Sequence, residues 1–461
     1  MKQLLSRTTL FVAMMLLNSC ATTSESAKTS NPSPSPAAVL SSVKANQEIS
    51  DAVRELAKHS LLTQGASKAK QLLADDLKGA YNGAPFTKPD IDNDVKGNIA
   101  GAAQVQPRSI EVALVANAGA GTVALVDVAS RSVLGTIDVN PARAKGEGPG
   151  ATNYAQDTDI SPDGRTLYVS RGYLGDVAAF DIASGRLLWR RSLDTGRADH
   201  MTLTPDGRSL FVSALLDNRV YKVATDTGEI TGHLVTGVYP HDNKVSRDGR
   251  RLYNTSIGPL SSLPRQASAP RPTETPGYPF QLTIANVGTL QTLDRIRFDK
   301  GIRPWQFTPD EKGLYAQLSN EHAVVAYNLA VRKVVKRLDL PVKPGITVAD
   351  WDFEAPHHGL ALTPDGKTLC LAGRASDYAA LVRAPELTLI ATIPVGDAPG
   401  WAETADKGRV CLIANTRSDD LSIISIPERT EIVRLPIGDG PKHITVARIP
   451  ASVIAAFKAR Q

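Results

Sequence analysis

Between residues 108 and 449 the chain places apolar side chains in short bursts, some continuous and some alternating, such as 112–117, 122–127 and 132–139. A period of two with β-branched enrichment marks strands rather than helices. One turn recurs between the bursts, at Ser161-Pro162-Asp163-Gly164, Thr204-Pro205-Asp206-Gly207 and Thr363-Pro364-Asp365-Gly366. Proline presets φ, Asp tolerates the next position, and Gly accepts the positive φ that closes the hairpin. Degenerate copies lie at Arg247-Asp248-Gly249, Pro309-Asp310 and Ala405-Asp406, so successive intervals are 43, 42, 62, 55 and 41 residues. A period near 42 with four β segments per unit predicts an all-β propeller and excludes helical repeats. Units begin near 148, 197, 238, 301, 345 and 397. Residues 110–139 supply only three strands, and Lys442 to Ala447 is an orphan inner strand. Joining the two makes seven blades and leaves no open sheet edge. Residues 450–461 remain as a tail.

Ahead of the repeats the pattern changes. Val39, Leu40 and Val43, then Ile49, Val53 and Leu56, and later Leu72, Leu73 and Leu77 recur at helical spacing, which predicts helices over 37–60 and 66–81. An irregular connector at 82–107 completes a 37–107 segment. Residues 20–36 are rich in Ser, Thr, Pro and Ala and read as a flexible tether. Lys2 and Arg7 give a positive start to an apolar run at 8–17 that is too short to span a bilayer and has the layout of a secretory signal over 1–19. With 42% hydrophobic and 21% charged residues, the chain of 461 is neither a polytopic membrane protein nor disordered. Its charge of +5 arises from 52 basic and 47 acidic residues without a basic block, which argues against a nucleic-acid partner.

Two resemblances follow from quoted residues. Leu17-Asn18-Ser19-Cys20 resembles the lipobox of bacterial lipoproteins. It implies cleavage before Cys20, lipid attachment to that thiol and, with no Asp after Cys20, a periplasmic location at the outer membrane. Leu167-Tyr168-Val169-Ser170 followed by 177–181, and 410–415 followed by 421–426 and 432–438, are similar to the YVTN-type seven-bladed propeller repeat. Relatives of that repeat include binding proteins, lactonase-like and lyase-like enzymes, and haem d1 and copper-cluster propellers. The resemblance therefore implies fold more strongly than activity.

Chemistry concentrates at one level of the predicted ring. Five or six residues before each turn stand Asp157, Asp199-His200, His241-Asp242, Arg303, His357-His358 and Lys442-His443. Five of the eight histidines share this slot, and Trp305, Trp351 and Trp401 lie at the same level. Three long loops, 140–156, a proline-rich 258–282 and the crossover 343–356, would rim the same mouth, and long loops in compact domains are commonly functional. In one reading His200, His241, His358 and His443 bind a divalent or transition metal, with Asp157, Asp199, Asp242, Asp352 or Glu354 as ligands, orienters or base. In the other, the histidines belong to the repeat and cap backbone groups around a water-filled channel. Arg171, Arg374 and Arg417 follow second strands on the mouth face and could receive an anion or stay solvated. The run 146–150 opens no helix and lacks a Walker lysine, and no Gly-x-Ser-x-Gly or CxxCH sequence is present.

Cys370 and Cys411 occupy equivalent second-strand positions in neighbouring blades. Stacked sheets lie about 10 Å apart, beyond disulfide reach, so two free buried thiols are expected. The composite expectation is a monomeric, lipid-anchored propeller whose mouth binds a small-molecule or protein ligand through Asp157, Asp199, Asp242, Arg303, Trp305, Trp351, Trp401 and Lys442. The alternative is a metal-dependent hydrolase or lyase in the same funnel.

Overall fold

The computed structural model describes residues 109–141, 153–260 and 278–461. The expected signal, tether, helices and connector, Cys20, and parts of two rim loops lie outside these residues. The described chain forms seven four-stranded antiparallel sheets. The innermost strands are Pro441–Pro450 for blade 1, then Asp157–Ile160, Ala198–Leu203, Pro240–Val245, Ile302–Phe307, Leu360–Leu362 and Pro399–Ala405 for blades 2 to 7. Blade 1 is closed by the chain end: Pro441–Pro450 pairs antiparallel with Ser109–Asn117, from Ser109 opposite Pro450 to Asn117 opposite Pro441. Residues 451–458 of the expected tail form a helix, Ala451–Lys458, whose Val453, Ile454 and Phe457 bury against Val112, Leu114 and Phe180.

Each sheet is covered on both faces by its neighbours, which explains the strand composition. Val112 to Ala116 are all fully buried, so second strands read as unbroken apolar runs. The outermost strands face water, as in Lys333–Asp339, where six of seven residues are exposed. The turn chemistry repeats more faithfully than the proline does. Ser161, Thr204, Ser246, Thr308 and Thr363 each donate a hydroxyl to the Asp two residues on, at 2.5 to 2.7 Å. Gly207 and Gly366 sit at φ +72° in these turns, a conformation that strains L side chains.

The expectation of free thiols is overturned: Cys370 and Cys411 form a disulfide, with Cα atoms 6.1 Å apart. The 10 Å spacing holds for faces separated by large side chains. Blades converge toward the axis, and here Ala372, Ala379 and Ala402 fill the gap between blades 6 and 7, so the sheets close to bridging distance.

Candidate functional site

Five inner strands carry a β-bulge at the same level. In blade 3, Ala198 opposes Ala214 and Met201 opposes Val212, so Asp199 and His200 share one partner position. The same surplus falls on His241-Asp242 in blade 4, Arg303-Pro304 in blade 5, Gly400 in blade 7 and Lys442 in blade 1. A bulge puts two residues opposite one and bends the strand, which breaks alternation and re-aims side chains. The clustering of unusual residues in one slot of the repeat thus has a backbone cause.

Imidazoles from four blades meet at this level, His200, His241 and His443 at or beside the bulges and His358 just ahead of the regularly paired Leu360–Leu362 of blade 6. His200 and His241 pack edge to face at 4.5 Å between ring centroids, and His241 and His358 at 5.4 Å. His358 Nε2 is 3.3 Å from His241 Nε2, and His358 Nδ1 is 2.9 Å from the Gly400 carbonyl. Asp157 joins the cluster from below: its Oδ2 is 3.1 Å from His200 Nδ1 and accepts the Met201 amide at 2.9 Å. Its Oδ1 is 2.8 Å from His443 Nδ1, a charge contact with poor hydrogen-bond angles. Trp401 stacks on His200 at 5.0 Å and meets His443 at 4.0 Å. A nitrogen or oxygen of each member of His200, His241 and His358, and of Asp157, His200 and His443, lies within 4.8 Å of the others, so each set could hold a metal.

Electrostatics separates these groups. Burial and the nearby His200 push His241 and His358 well below the ordinary imidazole range, so both are neutral. Burial also lowers His200, but its contact with Asp157 and the charges of Asp199, Asp157 and Asp242 outweigh it and raise the ring. Burial would raise the Asp157 carboxyl, yet His443 and His200 hold it well below the usual carboxylate range.

Above the imidazoles is a small cavity of about 50 Å³ whose polar wall includes Arg197, Arg303, Arg374, Lys442, His241 and His358. Leu215, Ile257, Leu260 and Phe353 supply its apolar side. Among the described residues Asp352 is the one carboxylate in the wall, and it is committed to Arg374 at 3.2 Å and Arg417 at 2.6 Å. The crossover 343–356 covers the cavity. Phe353 stands at φ +51°, an unusual conformation for a bulky residue, and its carbonyl accepts from the Arg303 guanidinium. Arg303 also donates to Ser319 at 2.8 Å, and Arg197 lies 3.6 Å from Asp199 with its buried Nε lacking a hydrogen-bond partner among the described residues. Burial, reinforced by the Arg197 charge, drives Lys442 down to about 7, and burial lowers Arg303 to about 10.

The structure therefore gathers Asp157, Asp199, His200, His241, Arg303, His358, Trp401, Lys442 and His443 of the expected residues. Asp242 sits beside the cluster, 3.7 Å from Lys244. Trp305 is elsewhere: past the blade 5 bulge its side chain points into the blade 4–5 core against Tyr253 and Phe307, and it is fully buried. Trp351 lies in the crossover, 6.2 Å from His322, and His357 bonds His322 at 3.0 Å in a separate network. Arg171 is consumed by a buried two-pronged pair with Asp176, both bonds 2.6 Å. Gln156 and Arg197 were missed. Gln156 donates to Asp199 at 2.7 Å, and each stands within three residues of an expected slot residue, the one signal the sequence carried for them.

The fold and site define a seven-bladed β-propeller with a cationic, histidine-floored funnel. No protein-family model and no curated protein matches the sequence. Among solved structures the chain is similar to a chain of hydrazine synthase from Kuenenia stuttgartiensis, at TM-score 0.51 and 17% identity, over 66% of this chain and 89% of that one. Identity at that level establishes a shared propeller fold.

Proposed function

We propose that the protein is a binding propeller that takes a small molecule with two or more anionic groups into its funnel. The observation that carries this reading is the charge of the cavity wall: Arg197, Arg303, Arg374 and Lys442 converge on it, and among the described residues lining it Asp352, already paired, is the one acid. Like charges held in a partly desolvated space repel unless an anion compensates them, and guanidinium groups match carboxylate or phosphate oxygens in two-pronged fashion. The YVTN-type resemblance and the lipobox extend the proposal to a monomer in the periplasm, held at the outer membrane by lipid on Cys20. A second reading, a metal-dependent hydrolase or lyase in the same funnel, is favoured by the convergence of three imidazoles on the cavity floor.

Calorimetric titration of the mature chain with tricarballylate, inorganic phosphate and a neutral sugar tests the binding reading. Saturable binding of an anion, weakened by salt, is expected, with Arg197→Gln and Lys442→Gln each lowering affinity roughly tenfold to a hundredfold, the worth of a charged hydrogen bond. Failure of every anion to bind, or equal binding of the sugar, would remove the proposal.

A further inference from the structure

We infer that the cavity floor is a site for one divalent transition-metal ion, held by His200, His241 and His358, with Asp157 and His443 as orienting residues instead of ligands. The inference rests on reading the funnel as a ligand site and names what that site contains.

The hydrogen bonds fix which ring nitrogens are available. The Gly400 carbonyl can only accept, so His358 carries its proton on Nδ1 and presents a lone pair at Nε2. Asp157 accepts from His200 Nδ1, and at 3.4 Å from the other side the Gln156 amide nitrogen faces His200 Nε2. That amide is oriented as a donor by its 2.7 Å bond to Asp199, so in the neutral ring, the form that binds a metal, His200 Nε2 is also a lone pair. His241, 3% exposed, has the His358 ring as the one hydrogen-bond partner of its imidazole among the described residues.

Distance agrees with this chemistry. Metal–imidazole bonds of about 2.0–2.1 Å at a tetrahedral angle place two ligand nitrogens about 3.3 Å apart, and the His241 and His358 Nε2 atoms are 3.3 Å apart. All three rings offer a nitrogen within 4.8 Å of the others. Asp157 stands behind His200 as the carboxylate of a carboxylate–histidine–metal arrangement. Three carboxylates, Asp157, Asp199 and Asp242, act on His200 and would offset the charge of an ion. Three imidazoles without a thiolate select zinc, copper, nickel or cobalt over magnesium or calcium. Three protein ligands leave a coordination position open, and His241 and His358 also line the cationic cavity. An oxygen of the anion held by Arg197 and Lys442 would complete the coordination.

The test uses the mature chain stripped with a chelator and titrated with Zn²⁺, with Co²⁺ as a spectroscopic stand-in. One equivalent should bind, and Co²⁺ should give the visible bands of a low-coordinate nitrogen site. Zn²⁺, unlike Mg²⁺, should raise the Tm of the stripped wild-type chain, a reading that needs no variant to fold. His241→Ala and His358→Ala should weaken uptake at least a hundredfold, Asp157→Asn roughly tenfold to a hundredfold, and His443→Ala less than tenfold. No uptake by the stripped wild-type chain overturns the inference, as does loss in His443→Ala with retention in His358→Ala. The tricarballylate titration on stripped protein keeps the two ideas apart: anion binding without metal uptake removes the metal site alone, and metal uptake without anion binding removes the anion reading alone.

Discussion

Glu403, on the inner strand of blade 7, shows what an unpaired carboxylate does in this channel. Burial raises it to about 7, against the Thr404 amide and the Lys244 charge that pull it down. Its ordinary value is 4.5, so between about pH 4.5 and 7 the folded chain binds a proton that the unfolded chain has released. Stability must therefore be present below 4.5 and decline as pH rises through 7. Glu403→Gln, which keeps an acceptor for Thr404, should stabilise the protein by about 3 kcal/mol at pH 8 and leave it unchanged at pH 4. Denaturant melts at both pH values measure this, and an equal effect at the two would show that charge is not the cause. Asp159, raised to about 7 by burial and by Asp157, belongs to the same class, although its bonds to Ile160 and Leu203 make it a less clean substitution.

At the scale of elements, what was legible in the sequence was local. The turn at Ser246-Arg247-Asp248-Gly249 lacks proline yet closes like the others, because the hydroxyl-to-Asp bond and the glycine sit at fixed offsets in the chain. What was not legible depended on departures from alternation or on spacing between blades. Trp305 was expected at the mouth by counting, but its ring packs against Tyr253 and Phe307 in the blade 4–5 core. The Cys370–Cys411 bridge escaped because the distance between two sheets depends on the small residues between them. Closing a loop of 41 residues removes unfolded-state freedom worth about 4 kcal/mol by chain entropy. Cys370→Ala with Cys411→Ala should cost about 2–4 kcal/mol, measured by denaturant melts, and reductant should destabilise the native chain but not the double variant.

Across the whole molecule, stability depends on the last twenty residues. Phe457 is fully buried between blades 1 and 2, and Phe457→Ala should cost about 3–5 kcal/mol in thermal or denaturant melts. Truncation after residue 440 removes the inner strand of blade 1 together with Lys442 and His443, and should abolish cooperative unfolding altogether. For anchoring, Cys20→Ala should shift the protein from the membrane to the soluble fraction of the cell envelope, measured by fractionation with palmitate labelling; unchanged membrane association would remove the lipid anchor. The seven-bladed architecture was legible in advance because repetition multiplies a weak local signal, whereas the cationic cavity was only partly so: Arg197 and Gln156 acquire their roles from strands distant in the chain.

Closure of blade 1 by Pro441–Pro450 also sets a timetable. Synthesis runs from the N-terminus, so Ser109–Asn117 emerges first among the described strands and waits for more than three hundred residues before its inner neighbour exists. Until then the nascent ring stays open, with its first sheet carrying an unpaired edge. The funnel can acquire His443, Lys442 and any ion or anion only once the final strand is in place.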